Sequence, residues 1–217
     1  MANSNNRLKA YVRYDGTGRV IAGSLILQRS KPKVGNWQEI PAHECCNYVP
    51  TTTTTTTSGG IYTIGQAALG GIIAYINGGG TSGTSGLVAT VADFPSGYIQ
   101  WGCRGTEIVT GTAIGTGNQN TIDIMAGCPT AGIAARLCGD LVEGGYNDWY
   151  LPSQDELNAL YINRVAIGGF VDDSYWSSSQ PQDIFGQDAA FVQDFTDGSQ
   201  GQGGKITGRL VRAVRSF

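Results

Sequence analysis

Residues 144–157 read Gly144-Gly145-Tyr146-Asn147-Asp148-Trp149-Tyr150-Leu151-Pro152-Ser153-Gln154-Asp155-Glu156-Leu157. Ser153 and Glu156 stand three apart, directly ahead of Leu157, Leu160 and Tyr161. That is capping-box spacing, in which the hydroxyl and the carboxylate each satisfy a backbone N–H of a starting helix. Trp149 and Leu151 are assigned to the core, together with Trp101 and Trp176, and each buried indole N–H then needs a backbone acceptor. Upstream, Ile122, Ile124 and Met125, then Ala131, Ala134, Ala135, Cys138 and Leu141, recur at helical spacing. Gly127 and Pro129 interrupt them, so two short helices are expected within 120–141. Gly70-Gly71-Ile72-Ile73-Ala74-Tyr75-Ile76 has the length and β-branching of a buried strand, and Leu87-Val88-Ala89-Thr90-Val91 repeats the signal. Beyond Phe170 short strands and Gly-rich turns return. Helices in the middle and strands at both ends predict an α+β fold with an antiparallel sheet.

Ahead of this region, 8–14 and 19–27 are strand-like and are split by Asp15-Gly16-Thr17-Gly18, which predicts a β-hairpin. Pro32, Gly35 and Pro41 break the chain around Trp37. Seven threonines at 51–57 followed by Ser58-Gly59-Gly60 read as an extended linker. The expected organisation is a β-rich segment over 1–50, a Thr/Gly-rich linker over 51–60 and one domain over 61–217. About fifty residues of hairpin are too few for a stable core, so this segment is expected to fold against a partner or in an oligomer.

Charged residues make up 14% of the 217, against ~25% in an average soluble protein. The surface must therefore be built from Gly, Ser, Thr, Asn and Gln, and 33 glycines imply a loop-rich fold. The net charge of −3 hides an asymmetry: residues 1–50 hold seven Lys/Arg against three Asp/Glu, residues 51–217 seven against fourteen. The two parts should face different partners. Arg7, Lys9, Arg13, Arg19, Arg29, Lys31 and Lys33 are interleaved with strand-forming residues, which argues against nucleic acid as the partner. No run of about 18 apolar residues occurs, and 1–6 carry no apolar stretch behind a basic start, so neither membrane insertion nor export by a signal peptide is expected. The five cysteines (Cys45, Cys46, Cys103, Cys128, Cys138) are odd in number and contain no CxxC pair, so buried thiols are expected.

Asp148-Trp149-Tyr150-Leu151-Pro152-Ser153-Gln154-Asp155-Glu156-Leu157, then Tyr175-Trp176-Ser177-Ser178 and the closing Val211-Arg212-Ala213-Val214-Arg215, resemble the hallmark elements of the Lcl C-terminal domain family, named for the C-terminal domain of a Legionella collagen-like adhesin. Gly70-Gly71-Ile72-Ile73, Gln100-Trp101-Gly102, Asn120-Thr121 and Ala134-Ala135 extend the match over nearly all of 59–217. The resemblance implies a C-type-lectin-like fold, related in shape to the formylglycine-generating-enzyme group. The two chain ends then share one sheet, and a loop-rich face serves recognition. Family members recur as adhesins and as phage receptor-binding or surface-decorating proteins. Similar domains include the variable proteins of diversity-generating retroelements, whose variable region lies in this C-terminal block.

The chemistry concentrates between Trp176 and Lys205. Residues 177–188 and 193–202 are dense in amides, hydroxyls and carboxylates with a few aromatics, the composition that binds sugars or adaptable protein surfaces. Alternation along 189–195 assigns scaffold and outward positions, and Gln182, Asp183, Phe185, Gln187, Asp188, Gln193, Asp194 and Gln200 are the candidate ligand-binding residues. Asp172, Asp173, Asp194 and Asp197 lack EF-hand spacing and are read as turn formers, so no metal or cofactor is expected. Arg212 and Arg215 are expected to pair with Asp148 or Glu156. Catalysis is not expected. His43 stands far in sequence from any nucleophile, Asp155 and Glu156 diverge on one helix, and Cys128 and Cys138 lack the histidine support of a copper site.

These readings predict a non-enzymatic phage virion surface protein. Residues 1–50 would attach it to other virion proteins and make a homo-oligomer, with a trimer preferred, and the lectin-like domain would bind a host-surface glycan or protein. The competing classes are a structural capsid or tail decoration protein without ligand and a bacterial adhesin.

Overall fold

The computed structural model describes residues 60–95, 97–182 and 187–217, together with the backbone of three strands nearer the N-terminus. The chain divides into two compact units, Met1–Gly59 and Gly60–Phe217.

In the first unit β1 (Lys9–Arg13) lies between β2 (Ile26–Gln28) and β3 (Trp37–Ile40), antiparallel to both. Tyr11 pairs with Ile26, whereas a tight turn over 15–18 would pair it with Ala22. The register sits four residues further on. A turn signal holding two glycines accommodates several loop lengths and does not fix register. The third strand falls where Pro32, Gly35 and Pro41 suggested only breaks. The threonine tract lies outside the described residues.

The second unit is α+β. A four-stranded antiparallel sheet runs in the order β14-β8-β6-β5: β5 (Ala67–Ala68), β6 (Gly71–Ile76), β8 (Gly86–Ala89) and β14 (Val214–Ser216). β4 (Tyr62–Thr63) pairs with β7 (Ser82–Gly83), β9 (Ile99–Gln100) with β13 (Gly208–Arg209), and β10 (Ser174–Trp176), β11 (Ala189–Asp194) and β12 (Gln200–Gly204) form a meander. Among the described residues four helices sit mid-chain: α1 (Gly117–Gly127), α2 (Ala134–Gly139), α3 (Gln154–Ile162) and α4 (Arg164–Ile167). The two helices expected within 120–141 are α1 and α2.

The run at 70–76 is apolar throughout because β6 is covered on both faces. Ile73, Ile76 and Val88 pack with Trp101, Trp149, Trp176 and the α1/α2 residues Ile124, Ala134 and Cys138. Ala74, Leu87 and Ala89 pack with Tyr150, Tyr175, Phe195 and the α3 residues Leu157 and Leu160. Each indole N–H finds the backbone acceptor that burial demands: Trp101 donates to Ser177 O at 2.9 Å, Trp176 to Ile99 O at 2.8 Å and Trp149 to Glu143 O at 3.2 Å.

The capping box forms. Ser153 Oγ accepts from Glu156 N, and Glu156 Oε2 accepts from Ser153 N at 2.8 Å. Glu156 Oε1 also accepts from Gly115 N at 2.9 Å. Burial pushes this carboxyl above its ordinary value. A Cβ on Gly117 would collide with Glu156 Oε2 and stand 2.8 Å from Ser153 N, so only glycine fits there.

The two terminal arginines divide. Arg215 pairs with Asp148 through Nε at 2.6 Å and Nη2 at 2.8 Å, as expected, and lies 3.8 Å over the Tyr146 ring. Arg212 pairs instead with Asp93, at 2.6 Å, and its remaining donors go to the carbonyls of Thr90 and Gly169. Glu156 was not open to it, being spent on backbone N–H groups. Among the cysteines, Cys138 is a buried thiol whose burial raises its pKa well above the usual value. Cys103 and Cys128 correct the expectation of thiols: they form a disulfide across 25 residues. Gly102 and Cys103 both take positive φ, and this turn carries Cys103 onto the end of α1. Cys45 and Cys46 lie outside the described residues.

Candidate binding face

The β10-β11-β12 sheet is covered unequally on its two faces. Trp176 registers with Val192, and a Cβ on Gly203 would stand 3.0 Å from the Trp176 indole, so one face packs on the tryptophan core. By alternation the other face carries Tyr175, Phe191, Gln193, Gln200 and Gln202. Its inner end lies under α3. Its outer end, around half-buried Phe191 and exposed Gln202, faces solvent.

Four side-chain amides bridge these ends. Gln154 Nε2 donates to Gln200 Oε1 at 3.3 Å, and Gln200 Nε2 donates to Gln193 Oε1 at 3.4 Å. Gln193 Nε2 then donates to Asn158 Oδ1 at 2.9 Å and to Gly198 O at 3.2 Å. A carboxamide both donates and accepts and carries no charge, so a row of them suits the hydroxyls of an uncharged ligand. Orientation is maintained by the buried end of the row.

Beyond the far end of β12 a buried cation joins three segments. Lys205 Nζ donates to Gln180 Oε1 at 2.8 Å and to Thr106 O at 2.7 Å, and lies 4.4 Å over the Trp101 ring. Its backbone N–H donates to Asp188 O, its carbonyl accepts from Gly102 N, and Gly105 N donates to Gln187 O. Arg104 and Asp188 add an ion pair at 3.0 Å, with 59% and 58% of their side chains exposed. Burial pulls the Lys205 ammonium down to about 8, against the opposing pull of Asp188 and Glu107.

Gln182, Gln187, Asp188 and Gln200 are exposed, as candidate ligand contacts must be. Asp194 is half-buried and accepts from Thr196 N, while Asp197 accepts from Ser199 N, which lowers its pKa. Both aspartates stabilise the turn after β11. Gln193 is the correction: expected outward, it is 1% exposed and its amide is held by α3. Both faces of β11 are covered at that point, so alternation there separates two interiors, not core from solvent. Asp183 and Phe185 lie outside the described residues.

The serines and glutamine of 177–180 are likewise interior. Ser177 Oγ donates to Phe191 O, Ser179 Oγ donates to Gly111 O and accepts from Gln154 N, and Ser178 Oγ accepts from Asn120 Nδ2. They tie the sheet to α1 and to the start of α3. Sequence reasoning missed Gln154 and Asn158 as members of the face. Their i, i+4 spacing on a capped helix is the signal that places both on one side. A separate cavity of about 350 Å³, lined by Val91, Phe94, Pro95 and Leu141, shares no residue with the amide row, and its Asp93 is committed to Arg212.

No group of three or more potential metal-ligating side chains occurs among the described residues. No described helix is long and apolar enough to cross a membrane. The profile of the Lcl C-terminal domain matches residues 84–215. No curated protein matches the chain.

Proposed function

This chain belongs to the Lcl C-terminal domain family, and on that premise we propose that it is a non-enzymatic binding protein of a phage virion, displaying a C-type-lectin-like domain that takes hydroxyl-rich host-surface ligands such as glycans. The observation that carries the reading is the amide row Gln154, Gln200, Gln193 and Asn158, which ends in solvent beside Gln202 and Phe191. Three tryptophans that could have stacked on sugars are buried, so recognition rests on amides and the half-buried Phe191 ring.

The lectin-like assignment is supported by the closure of the domain's two ends. Phe217 N donates to Gly86 O and Gly86 N to Phe217 O, both at 3.1 Å, and Tyr62 meets the Phe217 ring edge-on at 5.2 Å. A domain whose ends meet at one edge can be mounted at its N-terminus while its loops project outward. In this reading residues 1–50 contact other virion proteins and assemble the chain as a homo-oligomer at the virion surface, without nucleic acid or membrane insertion.

The test uses the full-length chain on an array of neutral and charged bacterial-surface glycans, with whole-cell adsorption alongside. Binding to uncharged, hydroxyl-rich glycans is expected. Failure to bind any glycan or cell would make the chain a structural decoration protein.

A further inference from the structure

We propose that the Cys103–Cys128 disulfide positions the segment before β11 that carries the exposed candidate contacts Gln187 and Asp188, and that its reduction releases this edge while the rest of the domain stays folded. This rests on the reading of the amide-lined face as a binding surface, but the contacts that carry it are independent of any ligand. The 103–106 loop is short, starts at a non-glycine residue with φ +45°, and is fixed to α1 by the bond from Cys103 to Cys128. Among the described residues, the hydrogen bonds and the ion pair that seat residues 187–188 come from that loop and from Lys205. Gly105 N donates to Gln187 O at 2.8 Å, Arg104 pairs with the Asp188 carboxylate, Thr106 O accepts from the Lys205 ammonium, and the Lys205 backbone N–H donates to Asp188 O at 2.9 Å.

No apolar side chain of 104–106 anchors the loop in place of the disulfide: Arg104 and Gly105 are exposed and Thr106 is half-buried. The α1 end needs no such help. Arg136 Nη2 donates to the carbonyls of Met125 and Cys128, at 2.6 and 2.9 Å, and Cys128 is fully buried. Cleavage therefore frees the loop side. An added dithiol supplies two electrons and two protons, the S–S bond becomes two thiols, and the dithiol closes to its own disulfide. Cys103 is half-buried, which leaves its sulfur within reach of solvent.

Residue-resolved hydrogen exchange on the full-length protein, without ligand, tests this in the oxidised form, the dithiol-reduced form and a Cys103→Ala/Cys128→Ala variant. Reporters are the amides of Gly105 and Lys205, and references are those of Ile73 and Thr90, which bond to Gln66 O and Ala213 O inside the core. In the reduced and variant forms the reporters should accelerate at least about tenfold more than the references, the mark of local opening. Equal acceleration of all four, or a smaller difference, overturns the proposal. Because no ligand is present, this outcome is separate from the fate of the glycan-binding reading.

Discussion

Lys205 Nζ donates to Gln180 Oε1 at 2.8 Å, inside the protein and over the face of Trp101. An ammonium placed against neutral acceptors is costly to charge, and burial pulls its pKa to about 8 from 10.5. The folded state thus releases this proton earlier than the unfolded state does. Between pH 8 and 10.5 the unfolded chain binds more protons, so Lys205 makes stability rise with pH.

Lys205→Met removes that contribution. The stability difference, wild type minus variant, should grow by about 1–3 kcal/mol between pH 7.5 and 10.5. Tyr150, Tyr175 and Cys138, whose pKa values burial raises, pull the other way as pH climbs, but equally in both proteins. Urea unfolding at several pH values gives the difference directly. A pH-independent difference would show that the ammonium is not desolvated.

The two arginine pairs should answer truncation differently. Arg212 is 1% exposed, so Asp93→Ala strands a buried charge and should cost about 3–5 kcal/mol. Arg215 is also buried, at 8% exposed, but the Asp148 side chain is 53% exposed and water takes its place, so Asp148→Ala should cost less, about 1–2 kcal/mol, despite its two short bonds to Arg215. Denaturant midpoints of the two variants would settle the order. Equal losses would contradict the distinction.

Much of the second unit was legible because its signals are local or stoichiometric. The capping box needs only Ser153 and Glu156 at the right spacing, and a buried tryptophan must place its N–H somewhere. The failures share a cause: they depend on pairings across the fold. Asp93 and Arg212 are 119 residues apart, and nothing near either names the other. Cys103 reaches Cys128 through a turn in which Gly102 is followed by a second positive φ at Cys103 itself, and a cysteine does not announce that conformation. Gln193 looked outward because alternation implies two faces, but not that α3 covers the second. The amide row was half visible, since Gln200 was identified while Gln154 and Asn158 were read only as helix.

Assembly is expected through residues 1–50, since three strands of three to five residues make a small sheet with little capacity for a core of its own. Light scattering of the full-length protein should give a symmetric oligomer, with a trimer favoured. A monodisperse monomer would contradict it.

If the amide row and neighbouring Gln202 bind ligand and do not carry the fold, thermal melts alongside host-cell adsorption for Gln154→Ala, Gln200→Ala, Gln202→Ala and Trp176→Ala will separate binding from stability. Gln200 and Gln202 are exposed, and Gln154 is half-buried with its side-chain amide bonded, among the described residues, only to Gln200. Substitutions at such surface positions normally shift stability by no more than about 0.5 kcal/mol, whereas removing a buried tryptophan costs about 3–5 kcal/mol. The three glutamine variants should keep the wild-type melting temperature and lose adsorption severalfold, while Trp176→Ala should unfold. Glutamine variants that adsorb like wild type, or that melt as early as Trp176→Ala, would contradict the account.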